Sequence, residues 1–109
     1  IYVVEGPIDS LFLDNSIATM DSALYSVLRT LGDYDYVFVY DNEPRNKEIV
    51  KHMQTTISLD KKICIWPKDI KSKDINDMVL SQLSPQEVIN KNIYKGLKAQ
   101  LELQVWKRV

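Results

Sequence analysis

The stretch Tyr36-Val37-Phe38-Val39-Tyr40 constrains the fold more than any other part of the sequence. Every side chain in it is β-branched or aromatic, with no polar residue at alternate positions, so neither face suits water. A strand buried on both faces belongs in the middle of a mostly parallel sheet covered by helices. The run stops at Asp41-Asn42-Glu43, where the chain must leave that sheet.

The remaining segments fit around such a strand. Ile1 to Val4 is a short apolar run closed by Glu5-Gly6-Pro7, a buried strand followed by a tight turn. A short helix is expected over Ile8 to Leu13 and a second strand over Ser16 to Met20. Asp21 or Ser22 can cap a helix over Ala23 to Leu31, with Leu24, Val27, Leu28 and Leu31 as its apolar stripe and Gly32 as its stop. Pro44 suits the first turn of a helix continuing through Ile49, Val50 and Met53. Lys62 to Trp66 reads as a fourth strand, stopped by Pro67. Helices are expected over Asn76 to Gln82, over Pro85 to Asn90, and from about Tyr94 to Lys107, the last with Leu97, Leu101 and Val105 on one stripe. Strands alternating with helices imply an α/β fold with a mostly parallel, four-stranded sheet and helices on both faces. A chain of 109 residues suits one such domain, and it carries no internal repeat or low-complexity linker. It opens at Ile1 inside a strand, without Met, as expected of a domain taken from a longer protein.

Composition narrows the function classes. A net charge of −1 gives no global positive field, so any grip on nucleic acid must be local or assisted by a metal. The single cysteine, Cys64, has no disulfide partner and lies in an apolar run, which predicts buried packing and fits a reducing cytoplasm. No apolar stretch approaches the ~20 residues that span a bilayer, and no signal peptide is visible. The one histidine, His52, falls within a helix, and no His/Cys cluster offers zinc a ligand set.

The acidic residues carry the chemistry. Glu5 follows the first strand, Asp41 and Glu43 follow the third, and Asp74 and Asp77 follow the fourth across a polar loop. In an open parallel sheet these strand ends share one rim. Like charges about 4 Å apart repel by ~1 kcal/mol in water and ~4 kcal/mol at an effective dielectric of about 20. Such a cluster needs a cation, and oxygen donors alone suit Mg²⁺ or Mn²⁺. Gly6 leaves room for a phosphate or backbone to approach. Taken singly, each acid has a plainer reading, as a helix cap or a solvated side chain. Arg45, Lys47 and Lys51 follow the Asp41-Glu43 turn, and Lys68, Lys71 and Lys73 precede Asp74. They can contact phosphate groups, Arg45 and Lys73 above all, or simply form a solvated face. Trp66 and Trp106 can stack on bases or pack in the core.

These residues resemble a known family. Val4-Glu5-Gly6-Pro7-x-Asp9-x-Leu11 is similar to the first motif of Toprim domains, and Val37-Phe38-Val39-Tyr40-Asp41-Asn42-Glu43 to the second, an apolar strand ending in Asp-x-Asp, with Glu43 in place of the usual Asp. Lys73-Asp74-Ile75-Asn76-Asp77 resembles the third acidic segment of phage primases. Lys95-Gly96-Leu97-Lys98-Ala99, then Leu101-x-Leu103-x-x-Trp106-Lys107, resembles the tail that follows the Toprim fold in T-even-like phage primases of the DnaG type. The resemblance implies a Rossmann-like Toprim domain over residues 1–92 and a helical tail over 93–109. It implies Glu5 as general acid/base or metal ligand, with Asp41, Glu43, Asp74 and Asp77 about Mg²⁺ or Mn²⁺, and Gly6, Arg45, Lys47 and Lys73 toward nucleotide or nucleic acid. The implied activity is Mg-dependent nucleotidyl transfer, making RNA primers from ribonucleoside triphosphates on single-stranded DNA. The implied setting is the cytoplasm of an infected bacterial host, with a replicative helicase reached through the parent protein. The isolated domain is expected to be monomeric and, lacking the preceding subdomain and zinc-binding template reader, nearly inactive. The same motifs admit a Toprim nuclease or topoisomerase, and the residues alone admit a non-catalytic interaction module. A receiver-type regulatory domain fits less well, because Glu5 is followed by Gly-Pro rather than by a second acid.

Overall fold

All five residues from Tyr36 to Tyr40 are buried. In the computed structural model, which describes residues 1–109, their inner pair Val37–Phe38 forms β3, the middle strand of a five-stranded sheet. The other strands are β1 (Tyr2–Val4), β2 (Ser16–Ala18), β4 (Lys62–Cys64) and β5 (Ile93–Tyr94). The order is β2-β1-β3-β4-β5. The first four are parallel, in the register Tyr2↔Ser16, Val3↔Phe38 and Phe38↔Ile63.

The fifth strand corrects the four-stranded expectation. β5 runs antiparallel to β4, pairing Ile63 with Tyr94 and Cys64 with Ile93. A two-residue strand carries no periodicity to read. Its entry is set by Asn92, whose side chain donates to the Val88 carbonyl at 2.7 Å while its own carbonyl accepts from the Ile65 N–H at 3.1 Å.

The helices are α1 (Pro7–Ser10), α2 (Val27–Thr30), α3 (Lys47–Ser58), α4 (Ile75–Leu80), α5 (Pro85–Asn90) and α6 (Gly96–Trp106). Several depart from their expected form: the first is a single turn that ends at Ser10 rather than Leu13, and the last begins at Gly96 because Tyr94 belongs to β5. The segment expected as one helix from Ala23 to Leu31 is a 3-10 turn, Leu24–Ser26, followed by the single turn of α2. Leu24 and Val27 are buried there while Leu31 is exposed, and Gly32, at φ +95°, ends the segment in a conformation glycine adopts without strain. Pro44 lies outside α3: a turn closes from the Asn46 N–H to the Glu43 carbonyl at 3.0 Å, and Asn46 caps the helix by accepting from Glu48 and Ile49 N–H at 3.1 and 3.2 Å.

Helix α6 faces the opposite way from its expected stripe. Leu97, Leu101 and Val105 are 69%, 58% and 52% exposed, so none of them seals the core. Ala99, Leu103 and Trp106 are buried instead, on the side that packs against α3. The helix carries two apolar stripes, and periodicity cannot choose between them. The small side chain of Ala99 and the hydrogen-bonding need of Trp106 decide the matter. Leu97→Gln is accordingly expected to change unfolding free energy by less than about 0.5 kcal/mol in a denaturant titration.

Candidate functional site

The parallel strands β1 to β4 all direct their carboxyl ends to one rim. The chain leaving β1 goes to β2 on one side, and the chain leaving β2 returns past β1 to β3 on the other. The strand order therefore reverses between β1 and β3, the position in an open α/β sheet where a crevice forms for ligands. Glu5 and Asp41 flank that crevice. The pairing of Val3 with Phe38, continued by a 2.9 Å bond from the Val39 N–H to the Val3 carbonyl, sets Glu5 level with Tyr40, one residue short of Asp41.

Asp41 is the most perturbed carboxylate of this rim. It is pushed up to about 7, first by burial and then by the charges of Asp9, Asp74, Glu43 and Glu5. Four segments thus meet in one field: the end of β1, helix α1, the turn after β3 and the start of α4. Asp9 is raised as well, mainly by burial, with Asp74 and Glu5 adding to it and the Asn76 N–H, which donates at 3.1 Å, opposing it.

Asp9 is not among the expected site residues. Its signal in the sequence is the spacing Glu5-Gly6-Pro7-x-Asp9, because one helical turn begun by Pro7 carries the side chain back toward the strand end. A Cβ on Gly6 would stand 3.5 Å from the Asp9 carboxylate, an ordinary contact distance, so this position lies against the acid without needing a glycine for space.

The other acids have distinct roles. Asp74 caps α4, one oxygen accepting from the Asp77 N–H at 2.8 Å, so the capping reading and membership of the acidic field both hold for it. Asp77 accepts from the Lys73 N–H at 3.3 Å and is not one of the four carboxylates that raise Asp41. Glu43 is partly buried, with the Lys73 ammonium 3.9 Å away. Glu5 is exposed at the rim.

No group of three or more acid, His or Cys side chains closes into a ready-made metal cage. The donors are nevertheless all carboxylate oxygens, and Lys73 on Glu43 is the only cation within 4 Å of any of Glu5, Asp9, Asp41, Glu43 and Asp74. Mg²⁺ retains several waters and is bound through one or two carboxylates plus substrate phosphates. An open rim with a half-buried, cation-poor Asp41 fits that ion better than it fits a metal needing a full protein cage. His52 lies apart, in α3, with its ring 5.8 Å from that of Tyr25 and stacked at 6.5 Å on that of Tyr40.

Asn42, between the two acids of the turn, holds the site together. Its amide nitrogen donates to the Ile70 and Ser72 carbonyls at 2.9 and 3.0 Å, and its side-chain oxygen accepts from Trp106 Nε1 at 2.9 Å. Its backbone N–H donates to the Lys73 carbonyl at 2.6 Å. One side chain thereby ties the turn after β3 to the loop before α4 and to the last turn of α6.

The basic residues do not form one group. Arg45, Lys68 and Lys71 line a single hollow of about 340 Å³ together with Arg108. Lys47 lines a different hollow, beside Tyr25 and His52. Both tryptophans are buried, Trp66 donating to the Tyr40 carbonyl at 2.8 Å, so they pack and do not offer open faces to bases. Cys64 is fully buried and its thiol is pushed up by that burial, as its apolar surroundings predict.

No family model matches the chain. It is 35% identical, over 114 aligned residues, to the DNA primase of Enterobacteria phage T4. The match takes in 100% of this chain and 33% of the T4 protein, so the chain spans about a third of the length of the curated relative it matches. The chain is therefore primase-related along a stretch that includes every residue of the acidic rim.

Proposed function

We propose that the chain is a Toprim-type, divalent-metal-binding domain for primase nucleotidyl transfer. The observation that carries this reading is the half-buried Asp41, its carboxyl raised first by that burial and then by four other carboxylates, at the sheet's switch point, in a chain related to a phage primase. Asp41, Glu43 and the free oxygen of Asp74 are the residues to hold Mg²⁺ or Mn²⁺. When bound, the ion supplies positive charge to the phosphates of the reacting nucleotide.

The chain's own residues do the rest. Glu5, exposed and next to Asp41 across the sheet, accepts the proton of the attacking 3′-hydroxyl. A new P–O bond forms to the α-phosphate and pyrophosphate leaves. Asp9 fixes the start of α4 through the Asn76 N–H, which keeps Asp74 in place. Lys73, 3.9 Å from Glu43, and Arg45, two residues further along the same turn, take phosphate oxygens. In this reading the substrates are ribonucleoside triphosphates and a single-stranded DNA template, and a replicative helicase is met through the parent protein in the host cytoplasm. No helix of the chain is long and apolar enough to cross a membrane.

Titrating the protein with Mg²⁺ under NMR observation tests the metal site. The resonances of Glu5, Asp9, Asp41, Glu43 and Asp74 are expected to move with one common affinity, and Asp41→Asn is expected to abolish that response. Scattered shifts of unequal affinity, or a response unchanged in Asp41→Asn, would remove the basis of the reading.

A further inference from the structure

The turn that carries Asp41 and Glu43 to the rim is held from outside itself. The Asn42 N–H donates to the Lys73 carbonyl at 2.6 Å, and the Pro44 carbonyl accepts from the Arg108 N–H at 2.7 Å. The Asn42 side chain reaches Ile70 and Ser72 through its nitrogen and Trp106 through its oxygen. The end of α6 and the residues just after it therefore grip residues 42 and 44, the two chain neighbours of Glu43.

The bond from Trp106 does what the others cannot. An indole N–H can only donate, and a carbonyl can only accept. An amide that meets both has one orientation, with its oxygen toward Trp106 and its nitrogen toward the two carbonyls. Turned over, it would set N–H against N–H and oxygen against oxygen. Two bonds from one nitrogen leave the amide free to pivot, and the third, from its other end, removes that freedom. Trp106 is 4% exposed, so the bond is sheltered from competing water.

We propose that Trp106 is a positioning residue of the acidic rim: acting through Asn42, it holds Asp41 and Glu43 at the spacing that a small divalent ion requires. The proposal rests on the reading of the rim as a metal site. Mg²⁺ demands near-ideal octahedral geometry at ~2.0–2.1 Å, whereas Ca²⁺ accepts about six to eight oxygens in flexible arrangements. A loosened turn therefore costs Mg²⁺ more than it costs Ca²⁺. The preference between the two ions is set in part by a side chain that touches neither.

The test uses the intact chain and Trp106→Phe, which keeps an aromatic body and loses the donor. In EDTA, the Asn42 and Glu43 amides of the variant are expected to exchange their hydrogens at least about tenfold faster, relative to the strand amides of β1 and β4, than in the wild type. With metal, calorimetry is expected to show Mg²⁺ affinity falling about tenfold and Ca²⁺ affinity by no more than about threefold, since partners that orient ligands typically carry effects of this order. Leu103→Ala, on the buried face of the same helix, is the control for lost packing. It is expected to lower stability while leaving the relative exchange rates and the Mg²⁺-to-Ca²⁺ ratio as in the wild type. A measurement on the wild type keeps the test valid if Trp106→Phe does not fold. Mg²⁺ is expected to slow exchange of the Trp106 indole N–H relative to that of Trp66, because coupling between two sites is reciprocal. Unchanged relative exchange in Trp106→Phe, an unchanged ion preference, or an indole indifferent to Mg²⁺ overturns the positioning role and leaves the metal site standing. A wild type that binds neither ion overturns the metal site and this role together.

Discussion

Asn42→Ala is expected to lower the unfolding free energy by about 3 kcal/mol and the melting temperature by on the order of 15 °C. Loss of the side chain strands the Nε1–H of Trp106, which is 4% exposed, and the carbonyls of Ile70 and Ser72. Each buried polar group left without a partner costs roughly 1–3 kcal/mol. Asn42→Asp keeps the shape but aims a carboxylate at two carbonyl oxygens, so it is expected to be at least as damaging. A double-mutant cycle isolates the bond to α6. In a Trp106→Phe background the indole donor is already gone, and the cost of Asn42→Ala is expected to fall by about 1 kcal/mol. Denaturant unfolding of the four proteins measures this, and purely additive effects would show that the bond to Trp106 carries no stability.

Stability is also expected to fall as pH rises from about 4 to about 7. The carboxyl of Asp41 is pushed from its ordinary 3.8 up to about 7 in the folded chain. Between those values the folded state holds a proton that the unfolded state has released, so folding is favoured most at the acidic end and the penalty is complete above pH 7. At ~1.36 kcal/mol for each pH unit, the ceiling is roughly 4 kcal/mol, which partial solvent access reduces to about 2–3. Asp9, also raised, acts in the same direction. Asp35, held down by the Lys62 ammonium, acts in the opposite one, but it is fully exposed and only at lower pH. Asp41→Asn removes the main titrating group, so its melting temperature is expected to be flatter across pH 4–8 and higher than the wild type at pH 8. Mg²⁺ is expected to raise the wild-type melting temperature at pH 8 and to leave Asp41→Asn unchanged, because a ligand stabilises only the state it binds. Thermal scans across pH, with and without Mg²⁺, decide it. A wild type whose stability increases from pH 4 to 7 would contradict the raised titration of this carboxylate.

How far the sequence anticipates the structure depends on whether a feature is local. The stretch from Tyr36 to Tyr40 announces the central strand because burial on both faces leaves no polar residue to place. Glu5 and Asp41 are legible as rim residues because parallel strands must end on the same side. β5 is not legible, since two residues cannot display a period. The inner face of α6 is hidden for a related reason: two apolar stripes of equal quality are separated only by a distant partner, Asn42, 64 positions away from Trp106. Asn42 itself looks like a spacer between two acids, because hydrogen bonds to the Ile70 and Ser72 carbonyls leave no pattern in composition. Asp9 is visible in the motif as a residue of the first helical turn, and only folding brings it to the Asn76 N–H and the field of Asp41. Asp74 combines two roles that the sequence sets against each other, helix cap and member of the acidic field.

The ties from residues 106–108 to the turn after β3 bear on when the acidic rim can come into being during synthesis. Strands β1 to β4 can pair as soon as they leave the ribosome, yet Asn42 and Pro44 keep waiting for the indole and the backbone of residues emerging 64 positions later. Until that helical turn docks, the loop that carries Asp41 and Glu43 lacks its hydrogen bonds to Trp106 and Arg108, so the acidic rim is assembled only after those residues have been made.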